Sequence, residues 1–152
     1  SEYTVVPQAS VVKIDGGIPL DRAALIGCGV TTGYGSAVRT GEVRAGDTVV
    51  VVGAGGIGMN AIQGARISGA LAIVAVDPVK FKREQASGFG ATHTAASMDE
   101  AWSLVSDMTL GKLADVCILT TDVAEASYTA EALALVGKRG RVVVTAIGHP
   151  DD

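Results

Sequence analysis

Apolar residues fall along this chain in two kinds of run. Val49-Val50-Val51-Val52 and Leu71-Ala72-Ile73-Val74-Ala75-Val76 contain no polar alternation, the mark of strands buried on both faces. Residues 115–119 and 141–147 supply two more strands of this kind, and residues 91–95 a short one. Between them the spacing turns helical. After Gly58, Ala61 and Ala65 recur at i+3 and i+7 with Ile62 between, a small-residue face suited to lie against a sheet. Pro78 suits the start of a helix running to about Phe89, with Lys80, Lys82, Arg83 and Glu84 on its exposed face, Phe81 on its buried one, and Gly88 and Gly90 ending it. Ser97-Met98-Asp99-Glu100 matches a capping box ahead of Ala101, Leu104, Val105 and Met108, and Gly111 stops that helix. A further helix is predicted over residues 123–136, with Glu125 in its first turn and Lys138 and Arg139 beside its end.

The first part of the chain is less regular. Residues 4–6 and 11–14 read as short extended runs, with Pro7 confining the first to an edge or an end. Pro19-Leu20-Asp21 opens a helical turn through Leu25, residues 27–35 read as a glycine-rich packed bend, and residues 36–43 continue helically into the turn Ala45-Gly46-Asp47. Strands alternating with helices imply parallel β-α-β units, hence an α/β, doubly wound sheet. A complete dinucleotide fold has six strands in the order 3-2-1-4-5-6. The chain supplies five, so the expectation is a Rossmann-type sheet truncated after its fifth strand.

The chemistry concentrates at the first strand's end. Gly53, Gly55 and Gly58 fit a Gly-x-Gly-x-x-Gly fingerprint, in which the first allows a tight turn, the second a close approach to pyrophosphate, and the third close packing of helix on strand. Gly56 adds freedom. A helix opening there carries about half a positive charge at its N-terminus, which attracts a phosphate without a lysine. Asp77 ends the second strand about 20 residues further on, where this fold places a carboxylate for the adenosine ribose. Taken singly, the glycine turn is also a plain strand-to-helix connection, and Asp77 before Pro78 a helix cap. Strand, turn, small-faced helix, strand and terminal acid in this order point to a dinucleotide.

Composition narrows the function. The chain has 152 residues, 48% of them hydrophobic, enough for one cored domain plus a flanking segment. Twelve basic and sixteen acidic residues leave a net charge of −4 with no basic cluster, which argues against nucleic acid. No apolar run approaches the ~20 residues that cross a bilayer, and no signal pattern opens the chain, so the expectation is a cytoplasmic protein without a membrane partner. Two cysteines make no disulfide scaffold: Cys117 lies in an apolar strand, and for Cys28 composition favours a buried structural thiol. His93 and His149 read as surface or loop residues.

These residues resemble the zinc-type, medium-chain alcohol dehydrogenases over almost the whole chain. Ile26-Gly27-Cys28-Gly29-Val30-Thr31-Thr32-Gly33-Tyr34-Gly35-Ser36-Ala37-Val38 is similar to the segment that carries a cysteine ligand of the family's catalytic zinc. The resemblance implies that Cys28 is a zinc ligand and that Thr32 packs on the nicotinamide. It implies NAD on the turn from Gly53 to Gly58, with Ile57 toward the nicotinamide, Asp77 and Lys82 on the ribose, and the backbone of Thr145, Ala146 and Ile147 at the carboxamide. Met59-Asn60-Ala61-Ile62-Gln63-Gly64-Ala65-Arg66 and Ala91-Thr92-His93-Thr94-Ala95-Ala96-Ser97 resemble the nitrosoaniline-dependent branch. Residues 1–30 then correspond to the tail of a catalytic, GroES-like domain and residues 31–152 to an NAD-binding domain incomplete at its C-terminus.

The resemblance implies hydride transfer from an alcohol to NAD beside zinc, in a full-length protein expected to be a homo-oligomer. Asp77 should select NAD over NADP, because two like charges ~4 Å apart repel by roughly 4 kcal/mol at an effective dielectric of 20. In the family the other zinc ligands are a cysteine and a histidine from an N-terminal catalytic domain, which these residues do not match, so this chain alone is expected to bind cofactor without catalysis. Asp122, where the family often has glycine, is a further departure. Two other classes stay open: a non-catalytic dinucleotide-binding or sensing module, and an interaction fragment using its open sheet edge.

Overall fold

The computed structural model describes residues 3–121, 123–124, 126–145 and 147–148; the expectations placed on Asp122, Glu125, Ala146 and His149 lie outside the described residues. Its centre is a five-stranded, wholly parallel sheet in the order β3-β2-β1-β4-β6. The strands are β1 (Thr48–Val52), β2 (Ala72–Val76), β3 (His93–Ala95), β4 (Ala114–Leu119) and β6 (Val136–Val144). This is the expected doubly wound order, with β1 at the middle. Every residue of β1 and β2 is buried, as the unbroken apolar runs require.

Alternate side chains of each strand feed two cores. Val49, Val51, Ile73, Ala75 and Ile118 meet Ala61, Ile62 and Ala65 of α3 (Gly56–Ile67) and Ala86 of α4 (Lys80–Phe89) on one face. Val50, Val52, Val74, Val76, Cys117 and Leu119 meet Ala101 and Val105 of α5 (Met98–Met108) and Ala132 and Leu135, in or just after α6 (Ala126–Ala134), on the other. The N-cap half of the predicted box forms, with Ser97 Oγ accepting from the Glu100 amide at 3.2 Å, while Glu100 Oε2 reaches one residue past the cap and accepts the Ala96 amide at 2.7 Å. No helix among the described residues is long and apolar enough to cross a membrane.

Several expectations need correction. The predicted bend at residues 27–35 is part of one helical path over residues 20–40, made of α1 (Leu20–Leu25), a wide π turn (Ile26–Val30), α2 (Thr31–Gly35) and a second π turn (Ser36–Thr40). Of its glycines only Gly33 serves packing; a Cβ on Gly27, Gly29 or Gly35 would meet nothing within 4 Å. A Cβ on Gly33 would stand 2.7 Å from Asn60 Cβ and 2.8 Å from the Ala61 nitrogen, so α2 can cross α3 this closely only without a side chain there. Residues 11–14 form no strand, and Val5 and Val12 stand in solvent.

Phe81 is 66% exposed, not buried. The inner face of α4 carries Ala86 and, three residues earlier, the half-buried Arg83; Phe81 lies about 140° around the helix from Ala86 at 100° per residue. Pro78 stands outside the helix, whose N-cap is Val79. The helix expected over residues 123–136 is confined to α6, because β5 (Val123–Ala124) pairs in parallel with β7 (Ile147–Gly148). The strand β6 starts at Val136, and Lys138 and Arg139 sit in an irregularity between the pairings Ala114↔Val136 and Val116↔Arg141. The strand expected over residues 141–147 breaks after Val144, where Thr145 turns both its amide and its hydroxyl onto the Leu119 carbonyl, at 3.0 and 2.8 Å.

Candidate functional site

The carboxyl ends of β1, β2 and β4 meet at the glycine turn. Gly53 has φ +93°, a backbone that glycine adopts without steric cost, and its amide donates to the Val76 carbonyl at 2.8 Å, fastening the turn to β2. Thr120 fastens it to β4: its hydroxyl lies 2.7 Å from the Gly53 carbonyl and 3.0 Å from that of Val52. A Cβ on Gly58 would overlap the Gly53 carbonyl oxygen. The third glycine of the fingerprint is therefore a steric requirement of helix-on-turn packing.

From Gly55 the chain enters α3 with no side-chain cap and no acid in the first turn. The first intrahelical bond runs from the Met59 amide to the Gly55 carbonyl at 2.9 Å, so the amides ahead of Met59 lack intrahelical partners and face the turn's mouth. That is an anion-binding terminus.

Asp77, 4% exposed, stands across from it. Its Oδ2 accepts the Ala54 amide at 2.9 Å, its Oδ1 accepts the Val79 amide at 2.9 Å, and Lys82 Nζ lies 3.6 Å from Oδ2. A carboxylate offers about four lone-pair sites, so two backbone amides and a lysine leave room for a hydroxyl donor. Arg83 Nη1 donates to the carbonyls of Asp77 and Pro78 at 2.7 and 2.9 Å.

Gly53, Gly55, Asp77 and Lys82 border a cleft of about 650 Å³, within the span of small-molecule sites, which Met98, Thr121 and Tyr128 also line. The Thr121 hydroxyl is buried and has no hydrogen-bond partner among the described residues. Leaving such a group unpaired costs about 1–3 kcal/mol. A glycine turn that opens a helix and a carboxylate with acceptor capacity to spare, both bordering one cleft, suit an adenosine diphosphate moiety.

Of the expected site residues, Gly53, Gly55, Asp77 and Lys82 line this cleft, whereas Thr32, Gly56, Ile57, Gly58 and Thr145 do not. Ile57 is half-buried in the first turn of α3, and Gly56 opens that helix toward open space. Thr32 is half-buried in α2, beside the Gly33 crossing with α3, and its carbonyl accepts the Ser36 hydroxyl at 2.7 Å. Thr145 follows β6 next to the end of β4; of Ile147 only the backbone pairing with Val123 is described, and Ala146 lies outside the described residues.

Cys28 is exposed within the first π turn, not a buried thiol. Among the described residues no group of three or more His, Cys, Asp or Glu is arranged to hold a metal. A catalytic zinc needs three protein ligands and an open position, so the described residues do not by themselves make a zinc site. Sequence reasoning placed Thr121 in the stretch where the family's cofactor runs close, but missed the Ala54 amide, Arg83, Met98 and Tyr128. A glycine fingerprint marks the turn itself; only the fold brings the loops after β3 and β4 to its side.

A family model for "Zinc-binding dehydrogenase" matches residues 56–152. The chain is 49% identical over 151 residues to the NDMA-dependent alcohol dehydrogenase of Amycolatopsis methanolica, covering 99% of this chain and 41% of that protein. It is 48% identical over 148 residues to alcohol dehydrogenase B of Mycobacterium tuberculosis, covering 97% and 40%. Among solved structures, alcohol dehydrogenase TADH from Thermus sp. ATN1 superposes with a TM-score of 0.82 at 29% identity, covering 93% of this chain and 40% of that one. The chain thus spans about two fifths of the length of these curated relatives.

Proposed function

The chain belongs to the zinc-binding dehydrogenase family, on the branch of the NDMA-dependent alcohol dehydrogenases, and from that premise we propose that it holds NAD(H) for an alcohol dehydrogenase. In the whole protein the reaction takes an alcohol to an aldehyde or ketone. The observation that carries this reading is the buried Asp77 carboxylate, held by the Ala54 and Val79 amides at the mouth of the glycine turn.

When bound, the cofactor supplies a nicotinamide that accepts the hydride leaving the alcohol carbon. The chain's own residues orient it. The amides at the start of α3, with Gly53, Gly55, Gly56 and Gly58 keeping side chains out of the way, bind the pyrophosphate. Asp77 and Lys82 take the ribose hydroxyls, and the Asp77 charge disfavours a 2′-phosphate, so NAD is selected over NADP. The family resemblance assigns Thr32, Ile57 and the backbone of residues 145–147 to the nicotinamide.

In this reading residues 1–30 belong with a catalytic, GroES-like domain and residues 31–152 with the cofactor domain; in support, Gly33 is the first buried residue among the described ones. Cys28 is one zinc ligand, its companions coming from elsewhere in the protein. Homo-oligomeric assembly belongs to the same reading and rests on the family resemblance, and the cytoplasmic location remains the expectation drawn from the sequence. A non-catalytic module is not favoured, since relatives matching 97–99% of this chain are named alcohol dehydrogenases.

The test is a fluorescence titration with NADH and with NADPH, in wild type and Asp77→Ala. NADH binding that outcompetes NADPH, with the preference lost in the variant, supports the assignment. Absence of binding by either cofactor overturns it.

A further inference from the structure

We propose that Arg83 is a positioning residue for cofactor choice: it fixes the β2–α4 turn so that the Asp77 carboxylate stays aimed at the ribose. The inference rests on the cofactor reading above. Arg83 Nη1 donates to two successive carbonyls, Asp77 at 2.7 Å and Pro78 at 2.9 Å, at the point where the chain leaves β2. The Asp77 Oδ1 bond to the Val79 amide closes the same turn, 2.9 Å long. Carboxylate, proline and arginine therefore brace one three-residue corner.

This corner needs an external brace. Pro78 has no amide hydrogen, and the helix begins only at Lys80, so neither the Asp77 nor the Pro78 carbonyl belongs to the sheet ladder or the helix interior. A guanidinium is suited to the task because its N–H groups are fixed in one plane and charge-assisted bonds are about twice as strong as neutral ones. Arg83 is half-buried on the inner face of α4 and is not among the residues that line the cleft, so it reaches the cofactor only through Asp77. Its neighbour Lys82 differs in kind, with its ammonium on the carboxylate itself, 3.6 Å away.

The experiment uses Arg83→Met, which keeps the side chain's length without its donors, and Arg83→Lys, each in the full-length protein. NADH and NADPH affinities are titrated, melting temperature is recorded, and both variants are repeated in the Asp77→Ala background. In Arg83→Met the NADH-to-NADPH preference is expected to fall about tenfold, with NADH weakened, and Arg83→Lys to recover part of it. In Asp77→Ala, Arg83→Met is expected to leave the ratio unchanged, because nothing remains to be positioned. A merely structural role would lower the melting temperature and weaken both cofactors equally, leaving their ratio intact. An unaltered ratio in Arg83→Met, or an undiminished effect in the Asp77→Ala background, overturns the proposal. If wild type binds neither cofactor, the cofactor reading itself falls, an outcome distinct from wild-type preference with an unmoved Arg83→Met ratio.

Discussion

The Asp77 carboxylate accepts the Ala54 amide hydrogen at 2.9 Å across 23 residues of chain, joining the end of β2 to the glycine turn after β1. One side chain thereby does two things. It fixes the turn that presents backbone amides to a phosphate, and it presents its own charge to whatever occupies the adjoining cleft. Fold and selectivity are coupled at this residue.

Asp77→Asn is expected to separate the two roles. Asparagine keeps one acceptor oxygen, so either the Ala54 or the Val79 amide loses its partner. The variant should be less stable by about 1–3 kcal/mol in urea unfolding, and its discrimination against NADPH should drop because the charge is gone.

Gly58 and Gly56 should respond oppositely to the same small change. A methyl on Gly58 meets the Gly53 carbonyl, so Gly58→Ala is expected to lower thermal stability and cofactor affinity together. A Cβ on Gly56 meets nothing within 4 Å. Gly56→Ala should leave the melting temperature nearly unmoved, and any loss of NADH affinity there reports the cofactor's proximity to the start of α3.

The sheet was legible because its strands are buried on both faces, so residues 49–52 and 71–76 carry an unbroken apolar signal that few other structures produce. The glycine turn and Asp77 were legible for a related reason: their roles depend on backbone geometry and a spacing fixed by one β-α-β unit. Phe81 misled because an apolar residue near a helix start says nothing of helix phase, which Arg83 and Ala86 set by packing inward. The two ends of the helical path over residues 20–40 were legible, but residues 27–35 read as a bend because glycine disfavours helices in isolation, by about 1 kcal/mol relative to alanine, and the close crossing of Gly33 on α3 is not visible in a local pattern. Tyr128 lines the cleft from α6 beside Met98 of α5, a relationship between separate parts of the chain that no local pattern encodes.

Thr121→Val removes a hydroxyl that has no partner among the described residues while keeping its shape. The cofactor-free protein should be as stable as wild type or more so, by up to about 1 kcal/mol, whereas NADH affinity should fall. Thr121→Ser should retain the affinity. Equal NADH affinity in all three proteins, measured by titration, would mean that the hydroxyl takes no part in binding.

The two cysteines should differ in reactivity and in their effect on stability. Cys28 is exposed, whereas burial pushes the Cys117 thiol up from its ordinary 9.0 to about 12. A small disulfide reagent at pH 8 should modify Cys28 in the folded protein and Cys117 only after denaturant is added. Because the folded state holds the Cys117 proton more tightly than the unfolded state, this thiol's contribution to stability is complete below pH 9 and is lost as pH rises toward 12. The slope across that window is about −1.4 kcal/mol per pH unit. Urea unfolding at pH 8 and pH 10 should show this loss in wild type and a smaller one in Cys117→Ala; the same loss in both would place its origin in other groups.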